Sequence, residues 1–269
     1  MIGTPLRRGR WANHPYVAVG DGPRTLLVIP GLNDPLCRVT DRWWFSLLVA
    51  TYCERYTGRH TVAMVSRPAG LPDNASTRDL AAGYSNVLEE VGPADVLGLS
   101  MGGFLVEHLA ADCPDLLEHA ILGLAAARLS EHGRTVVERW HAHADRGEFR
   151  PIYEEAAGAV AVGLRGPVVR GAARLYGRLG SPPPVDRRDF LVSADACLAH
   201  DATDRLVDIE VPTLVIGGTE DPFFTREHYR ETVRRIPGAA FVEIEEAGHE
   251  AVLDRRGEFD GGIREFLYE

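Results

Sequence analysis

The chain has no lysine. All 29 of its basic side chains are arginine, against 39 Asp and Glu in 269 residues, for a formal charge of −10. That balance argues against nucleic acid or an anionic membrane as the partner. An acidic, lysine-free surface suits a high-salt cytoplasm, where screening weakens self-repulsion. A GC-rich codon preference explains the missing lysine equally well, but not the acidity. Cysteine is sparse too: Cys37, Cys53, Cys113 and Cys197 are widely spaced with no C-x-x-C pair. This speaks against a zinc site and a dense disulfide framework, and the four read as reduced thiols. No apolar run approaches a membrane span, and Met1 to Arg8 lacks the apolar core of a secretory signal. A cytoplasmic protein is expected. No internal repeat is visible.

What is present is a chain 45% hydrophobic, long enough for one large α/β domain with an inserted subdomain. Tyr16 to Val19, the turn Gly20-Asp21-Gly22-Pro23, and Thr25 to Ile29 predict a strand, a hairpin and a buried strand. A loop at Pro30 to Pro35, a helix at Asp41 to Tyr52, a strand at His60 to Val65 and a helix from Ser76 to about Val91 follow. Val96-Leu97 and Ala120 to Leu124 are further strands, with a helix through Phe104 to Ala111 between them. The alternation predicts a mostly parallel central sheet with helices on both faces.

Between about Ala126 and His200 the alternation stops. Helical patterns appear at Thr135 to His143, Ile152 to Leu164, Val168 to Leu179 and Asp189 to Leu198, with Gly180 to Pro184 as a break. Residues 126–200 are expected to form a helical cap inserted into a core made of 1–125 and 201–269. The sheet then resumes at Pro212 to Gly218 and Ala240 to Ile244, separated by a helix at Thr225 to Arg235. A last helix carries Phe259, Ile263, Phe266 and Leu267.

The stretch that points to chemistry is Gly98-Leu99-Ser100-Met101-Gly102, set between a strand and a helix. In a chain with 28 glycines such a G-x-S-x-G means little by itself, so its surroundings must carry the reading. In an elbow of this kind the glycines remove Cβ atoms where strand and helix pass close, and the serine hydroxyl points into a cleft. The Met101 N–H then faces any oxyanion formed there. Gly217 to Pro222 follows one strand and places Asp221 at the sheet edge that holds Ser100; Ala247-Gly248-His249-Glu250 follows the next. Glu220 is adjacent to Asp221, and either carboxylate can turn inward. A helix N-cap is the structural alternative for Asp221.

The order serine, acid, histidine and the elbow resemble the α/β-hydrolase superfamily, and within it the capped branch of esterases, lactonases and carbon–carbon bond hydrolases. The resemblance runs from about Tyr16 to the C-terminus. It implies Ser100 as nucleophile, His249 as its base and later acid, Asp221 as the residue holding the imidazole, and Leu32 and Met101 N–H groups as oxyanion hole. It implies no cofactor, a small-molecule ester, lactone or related carbonyl as substrate, and an acyl-enzyme intermediate. The same intermediate serves acyltransfer or perhydrolysis, and the same fold serves as a non-catalytic ligand-binding protein.

Two loops depart from the family pattern: Pro30-Gly31 stands where His-Gly is common, and Val65 to Gly70 keeps only Arg67 and Gly70 of Asp-x-Arg-Gly-x-Gly. Arg67 reads as a structural loop anchor. Asn33 falls near the site as a donor or as an Asx turn, and Trp43 and Trp44 fall beside it as pocket wall or as core. His141-Ala142-His143-Ala144-Asp145 imitates a metal-binding H-x-H-x-D, but positions i and i+2 diverge on a helix, and no metal is expected. Arg170, Arg174 and Arg178 share a helical face, either solvated or steering an anion. Substrate identity and oligomeric state are not encoded in any pattern.

Overall fold

The computed structural model describes residues 6–155 and 186–268. Eight strands form one sheet: β1 (Arg7–Trp11), β2 (His14–Val19), β3 (Arg24–Ile29), β4 (His60–Val65), β5 (Ala94–Leu99), β6 (Leu117–Gly123), β7 (Thr213–Gly218) and β8 (Ala240–Ile244). Their order is β1-β2-β4-β3-β5-β6-β7-β8. β1 with β2 and β2 with β4 are antiparallel, and every other pair is parallel.

Strands buried on both faces need apolar residues at every position, and β3 has Leu26, Leu27, Val28 and Ile29 all without solvent exposure. Alternate residues then serve opposite faces. Leu27 and Ile29 pack with helices α2 (Thr77–Val91) and α3 (Met101–Asp112), whereas Leu26 and Val28 pack with α1 (Trp43–Cys53) and the C-terminal helix. No described helix is long and apolar enough to cross a membrane.

Two features of the sheet differ from expectation. The turn at Gly20 to Pro23 does not close a hairpin, because β4 lies between β2 and β3. The chain crosses over there, and β3, apolar from Leu26 to Ile29, gains parallel partners on both sides. The hairpin is instead β1–β2, through Ala12 and Asn13, both at positive φ (42° and 72°). Such a turn matches the twist of the strands it joins, but Ala-Asn is not its usual signature, and arginine-rich β1 shows no apolar alternation.

Beyond β6, helix α4 (Glu131–Asp145) starts at Ser130, whose Oγ accepts the Gly133 N–H at 3.0 Å. Helix α5 (Arg187–Ala199) starts at Asp186, whose carboxylate accepts the Arg188 and Asp189 N–H groups. Both are longer than the predicted segments, and they pack on each other. A helical run at 149–155 covers the start of the predicted segment at Ile152. The rest of that segment, the helix predicted at Val168 to Leu179 with Arg170, Arg174 and Arg178, and the break at Gly180 to Pro184 lie outside the described residues. Helices α6 (Arg226–Arg235), α7 (Ala251–Asp254) and α8 (Arg256–Tyr268) complete the chain.

At the amino edge of the parallel strands sits a buried polar cluster. Asp95 on β5 meets His60 Nε2 of β4 and His119 Nδ1 of β6, each at 2.7 Å, and accepts from Arg24 of β3 at 2.8 Å. Four neighbouring strands are thereby tied together at the end opposite the candidate site.

Candidate active site

Parallel strands bring the loops at their carboxyl ends to one edge. β3 leads into Pro30 to Leu36, β5 into Ser100, β7 into Asp221 and β8 into His249. Ser100 has φ 54° and ψ −122°, a left-handed conformation that a non-glycine residue adopts only when its surroundings impose it. The packing does impose it. A Cβ on Gly98 would lie 2.3 Å from the Gly102 carbonyl oxygen, and one on Gly102 would lie 2.2 Å from that of Ile29.

The three residues that the sequence brings under suspicion meet in a line. Ser100 Oγ is 3.0 Å from His249 Nε2, and His249 Nδ1 is 2.8 Å from Asp221 Oδ2. With the imidazole proton on Nδ1, that nitrogen donates to Asp221 and Nε2 is free to accept from the Ser100 hydroxyl. Asp221 is buried, while Glu220 beside it is exposed. The other oxygen of Asp221 accepts the N–H groups of Phe223 and Phe224 at 2.8 and 3.2 Å, so the carboxylate also shapes its own loop.

One partner of this line is invisible in the sequence pattern. Tyr229, on α6, donates its hydroxyl to Asp221 Oδ2 at 2.7 Å. Its ring fits only because residue 217 is glycine: a Cβ there would come within 2.2 Å of the ring. Burial and the neighbouring carboxylate push the Tyr229 phenol well above its ordinary pKa, which keeps it a donor. Burial pulls the His249 pKa down, but the charge and hydrogen bond of Asp221, with the charge of Glu250, outweigh it. The net result lies above the ordinary 6.5.

A cavity of about 500 Å³ opens above Ser100. Its wall is mostly apolar and comes from both sheet faces: Met64, Phe45 and Val252 on one side, Val136, Val137 and Trp140 on the other. Asn33 lines it, is exposed, and makes no side-chain capping bond, so the Asx turn is not formed. Trp43 and Trp44, 69% and 37% exposed at the start of α1, are not among the described residues that line it, although Trp44 meets Phe45 edge-on with ring centroids 5.9 Å apart. Phe45, next in sequence, takes the place on the wall. The N–H groups of Leu32 and Met101 donate to no other described residue.

His141 and His143 point to different partners, Asp195 at 3.1 Å and Glu148 at 2.9 Å. Among the described residues no group of three or more His, Cys, Asp or Glu is placed to hold a metal ion. All four cysteines are free thiols, and burial pushes Cys53 and Cys197 to about 12 and Cys37 to about 11.

The chain is similar to known proteins in sequence and in fold. It is 27% identical over 266 residues to the polyketide synthase ThaQ of Burkholderia thailandensis, matching 93% of this chain and 12% of that protein. The chain thus spans about an eighth of the length of that relative. To a pimeloyl-[acyl-carrier protein] methyl ester esterase of Neisseria meningitidis it is 28% identical over 212 residues, 70% of this chain and 75% of the esterase. The crystal structure of the enol-lactonase from Burkholderia xenovorans LB400 superposes with a TM-score of 0.73 at 22% identity, covering 98% of this chain and all of that one, a likeness of fold. The model of the alpha/beta hydrolase family matches residues 26–260, and to that family this chain belongs.

Proposed function

We propose that the protein is a serine hydrolase that cleaves a small carboxylic ester, lactone or related carbonyl compound through an acyl-enzyme on Ser100. One observation carries the reading: the unbroken line Ser100, His249, Asp221 at the floor of a largely apolar cavity. His249 takes the hydroxyl proton as Ser100 attacks the carbonyl, then gives it to the departing alcohol. The Leu32 and Met101 N–H groups stabilise the oxyanion in both tetrahedral intermediates. Asp221 holds the imidazole and its charge, with Tyr229 holding Asp221. Water activated by His249 then releases the acid.

Residues 126–200 act as the cap of this site. In support, α4 contributes Val136, Val137 and Trp140 to the wall, and α5 contributes Cys197. The apolar lining suits an acyl chain of medium length. The Neisseria esterase, which acts on the methyl ester of a carrier-bound acyl chain, supports an ester of a simple alcohol as substrate. A small molecule reached without nucleic acid or membrane, in the cytoplasm, completes the reading.

The test is labelling by a fluorophosphonate probe together with turnover of short p-nitrophenyl esters. Wild-type protein is expected to label stoichiometrically and Ser100→Ala not at all, with unchanged circular dichroism. Persistent labelling of the alanine variant would sink the assignment.

A further inference from the structure

We infer that Arg67 is a positioning residue for the oxyanion hole, aiming the Leu32 N–H at the Ser100 site by gripping the loop from behind; the inference rests on the serine-hydrolase reading above. Arg67 is fully buried. Its guanidinium collects three successive carbonyl groups of the loop: Nη1 donates to Pro30 at 3.3 Å, and Nη2 to Gly31 at 2.7 Å and Leu32 at 3.4 Å. Three consecutive carbonyls turned toward one cation is an unusual local arrangement with a direct geometric consequence. In a planar trans peptide the C=O of one residue and the N–H of the next point in opposite directions. Fixing the Gly31 carbonyl on Arg67 therefore turns the Leu32 N–H to the other side of the loop.

Ser100 bounds that stretch of loop. A Cβ built on Gly31 would lie 3.3 Å from Ser100 Cβ and 3.8 Å from Oγ. Glycine, lacking a Cβ, resists rotation of the peptide that follows it less than any other residue does. The Gly31 carbonyl also accepts the Asp34 N–H at 3.2 Å; without the shorter bond to Arg67 that one turn contact is left to stop the Gly31–Leu32 peptide from turning over and presenting a carbonyl oxygen where an oxyanion must form, replacing attraction by repulsion.

Arg67 is itself held on its far side. Its backbone N–H donates to Asp34 Oδ2 at 2.8 Å, its Nε lies 3.9 Å from the same oxygen, and its carbonyl accepts from Arg38 Nε at 2.9 Å. Arg38 in turn pairs with Asp189 of α5. A planar fork of N–H groups can serve several acceptors at fixed angles, which a lysine ammonium cannot reproduce.

The experiment compares wild type, Arg67→Lys and Arg67→Ala by steady-state kinetics, by the second-order rate of fluorophosphonate labelling, and by the affinity of an alkylboronic acid, whose adduct on serine mimics the tetrahedral intermediate. Losing one oxyanion donor costs about 10²–10³-fold in kcat. Arg67→Lys is expected to lose about 10–100-fold in kcat with KM within about threefold, because the loop is misaimed for part of the time rather than removed. Boronate affinity and labelling rate should fall by the same factor. Added guanidinium chloride, below denaturing concentration, should restore part of the activity of Arg67→Ala but not of Arg67→Lys.

A KM increase at constant kcat, or boronate affinity unchanged in Arg67→Lys while activity falls, would overturn the positioning role. Should both variants fail to fold, Asp34→Asn provides the reading. Loosening the far side of Arg67 should lower kcat and boronate affinity together at constant KM, and any other split overturns the role. Absence of labelling in the wild type would overturn the nucleophile assignment and this inference with it. Normal wild-type labelling with flat boronate affinity across the variants overturns the role of Arg67 only.

Discussion

Asp221 divides its two oxygens between two tasks. Oδ1 fixes the turn at Phe223 and Phe224, and Oδ2 takes the proton-bearing nitrogen of His249 and the Tyr229 hydroxyl. The helix N-cap that the sequence leaves open for Asp221 is not formed: Thr225 occupies the N-cap of α6, and Asp221 shapes the loop before it while meeting the imidazole. Asparagine keeps one oxygen, but an amide turned either way cannot both serve the loop and stabilise an imidazolium. Asp221→Asn is expected to lower kcat by about 10⁴-fold, whereas Glu220→Gln, on an exposed side chain, should leave it within about twofold of wild type. Steady-state assays of the two variants decide the matter. A large loss in Glu220→Gln would reverse the assignment.

At the scale of elements, the elbow depends on contacts that cross between them. The Gly102 Cα faces the end of β3, and a methyl group there would collide with the Ile29 carbonyl. Because that obstacle is backbone, Gly102→Ala is expected to destabilise by about 1–3 kcal/mol and to slow probe labelling, as the oxyanion loop following β3 is pushed aside. Helix α2 offers the contrast. Ser76 and Asp79 form a capping box there, remote from the cavity. Ser76→Ala should cost about 1 kcal/mol in thermal or urea unfolding and leave labelling unchanged. The two variants separate loss of stability from loss of site geometry.

The legibility of the chain follows the same division between local and non-local information. Strands β3, β5 and β7, helix α2 and the order Ser100, Asp221, His249 were readable because apolar runs, caps and glycine-flanked turns are written within a few residues. Strand neighbours were not: nothing in Gly20 to Pro23 says that β4 will slip between β2 and β3. Tyr229 is not legible because its meaning depends on Gly217, twelve positions away and across a strand-to-helix crossover. Trp43 and Trp44 are not legible from residue type, because large aromatic residues are usually buried whereas at the first turn of α1 the inward direction belongs to Phe45.

At the scale of the whole molecule, the parallel sheet sets two titrating centres at opposite ends. On the proposed mechanism the first governs the rate. His249 must be neutral to accept the serine proton, and its pKa is raised above 6.5, so kcat/KM should rise as pH passes upward through a midpoint above 6.5. A pH–rate profile with its acid limb centred below 6 would contradict this. The second centre governs stability. Burial of Asp95 favours its neutral form, but hydrogen bonds from His60 and His119 and the charge of Arg24 prevail and lower its pKa below 3.8. A carboxylate whose folded pKa is depressed contributes stability that is present above its unfolded pKa and lost as pH falls through the folded one. The contribution of Asp95 therefore persists until the pH drops below about 4. Asp95→Asn should lower the melting temperature at neutral pH and flatten its fall in acid, as read by calorimetry across that range.

The strand-tying cluster around Asp95 thus does more than close the lower edge of the sheet. On the proposed mechanism His249 stops serving as a base below a midpoint above 6.5, well before the Asp95 contribution begins to fade near pH 4, so mild acid idles the base while this tie across the strands still holds. An excursion into mild acid is then expected to lower kcat/KM, with activity returning on neutralisation.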